Sequence, residues 1–229
     1  TEIRQFPSSF FYQNLLTDAA EAQSLVPITL PPCNHTGGRP RKLSPVSFLD
    51  LSLSGDSAIG KSFINEGEVR LVERLLAALL PHIGSYSLAI ITPYKAQVNK
   101  IKRAMREDRI LVPLLHERSR CGTDIEVNSV DGFQGREKDV VIFSAVRSRR
   151  DSHHAGNWPH GGIGFVADER RLNVAITRAK RLLVVMGDAH TLSGDATWEA
   201  MISGVRDRGR LRRADAVKTE QNIWSLLCE

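Results

Sequence analysis

Seven consecutive residues, Val140-Val141-Ile142-Phe143-Ser144-Ala145-Val146, show no alternation of polar and apolar side chains. A strand with one wet face alternates with a period of two, so an unbroken run of this kind must be covered on both sides, as in the middle of a parallel sheet between two helical layers. The flanking sequence agrees. Residues 46–53, 88–92, 125–130 and 182–187 read as further strands. Between them, 66–80 places Val69, Val72, Leu75, Leu76, Leu79 and Leu80 on one helical face with Asn65 as its cap, and 94–106 repeats the pattern with Val98, Ile101 and Met105. The run 168–179 reads as another helix, with Asp168 and Glu169 at its positive end. Strands alternating with helices give an α/β fold, a parallel sheet with helices on both faces.

At 229 residues the chain is long enough for one such domain with a full core. The expected division is an irregular lead-in over 1–45, broken by Pro7, Pro27, Pro31, Pro32, Pro40 and Pro45, then the sheet domain over 46–210 and a helical tail over 211–229. There is no internal repeat. A formal charge of +5 favours an acidic partner. Basic residues gather at Lys100, Lys102, Arg103 and Arg106 and at Arg147, Arg149 and Arg150, whereas Arg206 to Arg213 alternate with Asp207 and Asp215 and read as a solvated helix face. Cys33, Cys121 and Cys228 are too few for a disulfide framework, which suits a reducing compartment. Cys33, His35, His153 and His154 have no zinc-ligand spacing, so no metal site is expected. No apolar run approaches the roughly twenty residues of a membrane span, so no membrane partner is expected.

Three polar segments follow or lead into the strands, at the edge where open α/β sheets bind ligands. The first is Thr92-Pro93-Tyr94 with Gln97. The second, 129–139, contains Gly132 and Gly135, which let the backbone turn sharply and approach a ligand. In the third, Arg178 falls outside the apolar face made by Leu172, Val174, Ala175, Ile176 and Ala179. A solvated arginine is the ordinary reading there. The alternative is a fixed positive charge brought to a phosphate.

Taken together, I-T-P-Y-K-A-Q, S-V-D-G-F-Q-G-R-E-K-D and R-R-L-N-V-A-I-T-R-A-K resemble motifs IV, V and VI of superfamily 1 helicases, in the group typified by senataxin and the nonsense-decay RNA helicases. They occur in that family's order. The resemblance extends to the opening I-R-Q-F-P-S-S-F-F-Y and covers nearly all of 1–210. Two stretches depart from it: the insert 148–162, with Trp158-Pro159, and the segment after Arg206. The chain starts without methionine inside a family segment and so reads as part of a longer protein.

The resemblance implies a RecA-like fold of the P-loop NTPase class, here the second, C-terminal lobe of an ATP-dependent helicase. It implies Arg178 as an arginine finger on the γ-phosphate, Glu137 and the Gln134 turn beside it, and Gly135 and Glu137 near the nucleotide. Thr92, Pro93, Tyr94, Gln97 and Ser129 would meet single-stranded RNA or DNA, with 5′-to-3′ movement. Tyr94 would either stack on a base or pack its own loop. ATP and Mg2+ would be held mainly by the N-terminal RecA-like lobe of the same protein. An intracellular location follows, nuclear or cytoplasmic, and the likeness to senataxin favours the nucleus.

Two other readings exist. One is a binding module on the same fold without hydrolysis. The other rests on Gly55-Asp56-Ser57-Ala58-Ile59-Gly60-Lys61-Ser62, which satisfies the phosphate-loop pattern G-x-x-x-x-G-K-[ST]. Such a match arises by chance in about one chain in a hundred of this length. Against it, Asn65 and Gly67 interrupt the helix that should follow at once, and Ser62, Asn65 and Glu68 fit a helicase segment that binds no phosphate.

Overall fold

The computed structural model describes residues 1–18, 20, 25–30, 40–123, 125–148, 163–217 and 219–228. Six strands form one parallel sheet. In spatial order they are β10 (Leu211–Arg213), β3 (Val46–Asp50), β9 (Ala179–Gly187), β8 (Lys138–Ser144), β6 (Leu88–Thr92) and β7 (Ile125–Ser129). The unalternating run falls on β8, hydrogen-bonded to β6 and β9, with Val140, Val141 and Ile142 fully buried. The other paired elements are β1 (Thr29–Leu30) with β2 (Arg41–Lys42), and β4 (Ser57–Ile59) with β5 (Ser62–Ile64).

The strands' two faces feed separate cores. Val140, Ile142, Leu182 and Val184 meet α2 (Glu66–Leu79), α3 (Lys95–Glu107), α4 (Leu111–Arg120) and α8 (Glu220–Leu227). Val141, Phe143, Leu183 and Val185 meet α1 (Glu2–Phe11), α5 (Glu169–Ile176) and α7 (Ala196–Asp207), with the short α6 (Ala189–Leu192) at the sheet edge. Trp198 anchors this second layer: it is fully buried, and its indole donates to the Val166 carbonyl at 2.8 Å. Burial of such a ring contributes about 1.5–3 kcal/mol. Asn65 caps α2 as expected, accepting from the amides of Gly67 and Glu68 at 3.1 and 3.2 Å.

Several expectations are corrected. The lead-in is not irregular throughout, because α1 forms with Pro7 inside it. Its loss of one hydrogen bond is offset by burying Ile3 and Pro7. The division at residue 210 cuts through the sheet, since β10 pairs with β3. Arg206 to Arg213 is accordingly no continuous helix. Helix α7 ends at Asp207, Gly209 turns the chain at φ +65°, and β10 follows. Helix α4 has no counterpart in the sequence reading. Pro113 sits in its first turn, where a missing amide costs little, and Asp108 accepts from the amides of Ile110 and Leu111.

Helix α5 stops at Ile176, and β9 begins at Ala179, three residues before the expected 182. Thr177 Oγ donates back to the Asn173 carbonyl at 2.7 Å and lies 3.1 Å from that of Val174, which closes the last turn. Arg178 therefore stands on the turn between helix and strand, not in a helix.

Candidate nucleotide and nucleic-acid sites

The pairing of Lys138 with Ala179 lays the end of the 130–137 connection beside Arg178, and the Lys138 amide donates to the Arg178 carbonyl at 3.0 Å. Three neutral acceptors then fix the guanidinium. Nε donates to the Val174 carbonyl at 2.8 Å, Nη1 to the Arg136 carbonyl at 3.3 Å, and Nη2 to Thr177 Oγ at 3.1 Å. Among the described residues Arg178 joins no ion pair, so its orientation is set while its charge stays uncompensated. Glu137 is exposed and pairs with Lys180 at 3.3 Å. Gln134 and Gly135 are exposed on the same connection. Arg171 binds Asp131 at 2.9 Å and Asp168 at 3.2 Å.

The two glycines have different reasons. Gly135 sits at φ +78° with open space where a Cβ would stand, so its constraint is conformational. A Cβ on Gly132 would lie 2.4 Å from Asn128 Oδ1, so the crowding there is internal.

The three polar segments do not share one edge of the sheet. Arg178 and Glu137 lead into β9 and β8, at the sheet's amino-terminal edge, whereas Thr92 and Ser129 close β6 and β7 at its carboxyl-terminal edge. The two groups are separated by the length of the strands.

At the carboxyl edge, most of the residues expected on nucleic acid are internal. Thr92 and Gln97 are fully buried. The Gln97 amide donates to Ser144 Oγ at 3.0 Å and to the Asn65 carbonyl at 3.3 Å, and its oxygen accepts the Asn65 amide at 3.0 Å. Tyr94 packs edge-on against Phe63 with centroids 5.4 Å apart, and its hydroxyl donates to the Ile163 carbonyl at 3.1 Å. Tyr94 is thus packed within its own loop, 3% exposed. Pro93 and Ser129 are half-buried, and Ser129 Oγ accepts the Gly132 amide at 3.3 Å.

Beside them lies a network that the sequence did not reveal. Glu68, fully buried, accepts from Ser144 Oγ at 2.6 Å and from the Val146 amide at 2.9 and 3.0 Å. These bonds hold Val146 at φ +72°, a conformation costly for a branched residue. Burial pushes the Glu68 carboxyl up to about 8. Its sequence signals were an acid in the first turn of a helix and its place with Ser62 and Asn65 in one helicase segment.

The phosphate-loop pattern forms no phosphate loop. Strands β4 and β5 pair as a hairpin, with Gly60 at φ +60° and Lys61 exposed at the turn, and α2 starts only at Glu66. No helix begins at Lys61-Ser62 to cradle a phosphate, and the Ala96 amide at the start of α3 is instead taken up by Ser62 Oγ at 3.1 Å. Instead Lys61 overlooks a cavity of about 740 Å³ lined also by Phe63, Tyr94, Arg147, Phe165 and Arg171. Among the described residues no group of three or more His, Cys, Asp or Glu is placed to hold a metal, and no helix is long and apolar enough to cross a membrane. Cys33, His35, His153 and His154, and nearly all of the 148–162 insert, lie outside the described residues.

A family model described as an AAA domain matches residues 1–190. The chain is 36% identical over 222 residues to the Probable helicase MAGATAMA 3 of Arabidopsis thaliana, covering 92% of this chain and 24% of that protein. It is 36% identical over 201 residues to the DNA polymerase alpha-associated DNA helicase A of Saccharomyces cerevisiae, covering 83% and 26%. With Regulator of nonsense transcripts 1 of Dictyostelium discoideum the identity is 37% over 186 residues, covering 80% and 13%. The chain thus spans about a quarter or less of these relatives.

Proposed function

We propose, from the premise that this chain belongs to the superfamily 1 helicases, that it is the second RecA-like lobe of an ATP-dependent helicase and completes an ATP site across a cleft. The observation that carries this reading is Arg178, a guanidinium aimed by three neutral acceptors with no carboxylate paired to it among the described residues. Charge spreads over the γ-phosphate oxygens as the bond to the leaving group breaks, and a planar donor already in position stabilises it without reorganisation. Glu137 and the Gln134–Gly135 turn stand on the connection that supplies the Arg136 carbonyl, so a nucleotide meeting Arg178 meets them as well.

The partner surface is the N-terminal RecA-like lobe, which would hold ATP and Mg2+ through its own phosphate loop and acids. Nothing in Gly55–Ser62 replaces that loop. Single-stranded RNA or DNA crosses the opposite, carboxyl edge near Ser129 and Pro93, and the lobe moves along it 5′ to 3′. The protein works inside the cell, in nucleus or cytoplasm.

Purified 1–229 is expected to hydrolyse no ATP, with or without a saturating single strand, because half of the phosphate machinery lies elsewhere. Phosphate release by a coupled-enzyme assay checks this. Turnover stimulated by the strand would overturn the second-lobe reading.

A further inference from the structure

The cavity under Lys61 belongs to none of the roles above. It opens at the carboxyl edge between the β4–β5 hairpin and the turn 164–167. Its volume lies within the ~300–1,000 Å³ range of small-molecule sites. Aromatic faces dominate it. Phe63 and Tyr94 form the inner wall, and Phe165, 56% exposed, stands at the mouth.

The cations around it divide clearly. Arg147 is buried, bound to Asp56 at 2.5 Å, with its guanidinium 3.9 Å from the Phe63 ring centroid. Arg171 is neutralised by Asp131 and Asp168 and lies 5.2 Å from the Phe165 centroid. The two carboxylates in the lining are also engaged, Asp168 on the Arg171 amide and Asp195 on the amides of Thr197 and Trp198. Lys61 alone is exposed and joins no ion pair among the described residues. Flat aromatic surface with one uncompensated cation at its rim matches a nucleobase with one attached phosphate.

We infer that this cavity takes one base of a bound single strand, stacked on Phe165, with Lys61 on the adjoining phosphate. The inference rests on the reading that nucleic acid crosses the carboxyl edge. It adds residues that the helicase motifs do not contain. The position is continuous with that edge: Asp131, which holds Arg171, stands two residues after Ser129, where β7 ends. A strand passing Ser129 reaches Phe165 by way of this ion pair. Gly164, at φ +63° with Arg147 and Tyr94 close behind it, fixes the turn that presents the ring.

Fluorescence anisotropy of the 229-residue chain with a labelled single-stranded oligonucleotide tests the assignment. Phe165→Ala should weaken binding about tenfold without changing its salt dependence, and Phe165→Trp should restore it. Lys61→Ala should lower the slope of log affinity against log salt by about one. Both side chains are exposed, so unaltered thermal melting controls for folding. A strand made abasic throughout should bind the unaltered chain as weakly as Phe165→Ala binds the normal strand. If the strand binds and neither variant changes its affinity, the cavity assignment fails while the nucleic-acid reading stands. If no strand binds at any salt concentration, the broader reading fails with it. Full competition by a free nucleoside monophosphate at concentrations near the strand's own Kd would show a mononucleotide site and overturn the assignment to a strand.

Discussion

Arg178→Ala in the longer protein should lower nucleic-acid-stimulated ATP turnover by about a thousandfold or more, with the fold intact. The fold should survive because Arg178 is half-buried and its partners are the carbonyls of Val174 and Arg136 and its neighbour's hydroxyl, all near water at a helix end. Removing it leaves no buried charge. Lysine should rescue little, since one ammonium cannot hold the helix end and the loop carbonyl while also presenting a planar fork to two phosphate oxygens. Affinity for a single strand without nucleotide should barely change, because Ser129 and the cavity lie at the opposite edge of the sheet. A loss below about tenfold, or a large fall in melting temperature, would make Arg178 a structural residue.

Glu68 gives the second large effect, and it concerns stability. Burial raises its carboxyl pKa from 4.5 to about 8, helped by the nearby charges of Asp56 and Asp188 and opposed by the hydrogen bonds from Ser144 and Val146. Between those pH values the folded chain keeps a proton that the unfolded chain has released. Stability therefore falls as pH rises through this window and levels off above it. The contribution lost is on the order of 3–5 kcal/mol. Glu68→Gln keeps the shape and cannot ionise, so its stability relative to the unaltered chain should rise by that amount from pH 4.5 to 8. Urea denaturation of both proteins at the two pH values measures it. Parallel pH dependence would mean that Glu68 is ionised throughout.

The fold was legible where the signal was local. The run Val140–Val146 announced a central strand by itself, and Asn65 with the apolar stripe from Val69 placed α2 to within a residue. What escaped depended on distant partners. The family resemblance placed Gln97 on the nucleic-acid path, yet Asn65 and Ser144, 32 and 47 residues away, enclose it. Val146 at φ +72° contradicts every local preference of valine and exists because Glu68 grips its amide. The end of α5 was missed because Leu172 to Ala179 keeps a helical apolar pattern through Thr177, whose hydroxyl terminates it. Arg178 itself was found by its place in a motif, and only the β8–β9 register shows why Glu137 and the Arg136 carbonyl stand beside it.

The central claim is that Arg178 acts on a phosphate in its transition state, from across a cleft. The most direct test is the affinity of the longer protein for ADP with aluminium fluoride, a mimic of the transferring phosphoryl group, compared with ADP alone. With Arg178→Lys, affinity for ADP should stay as it was, while affinity for the ADP–aluminium fluoride complex should fall about a hundredfold or more. Equal affinity of both proteins for that complex would contradict the account.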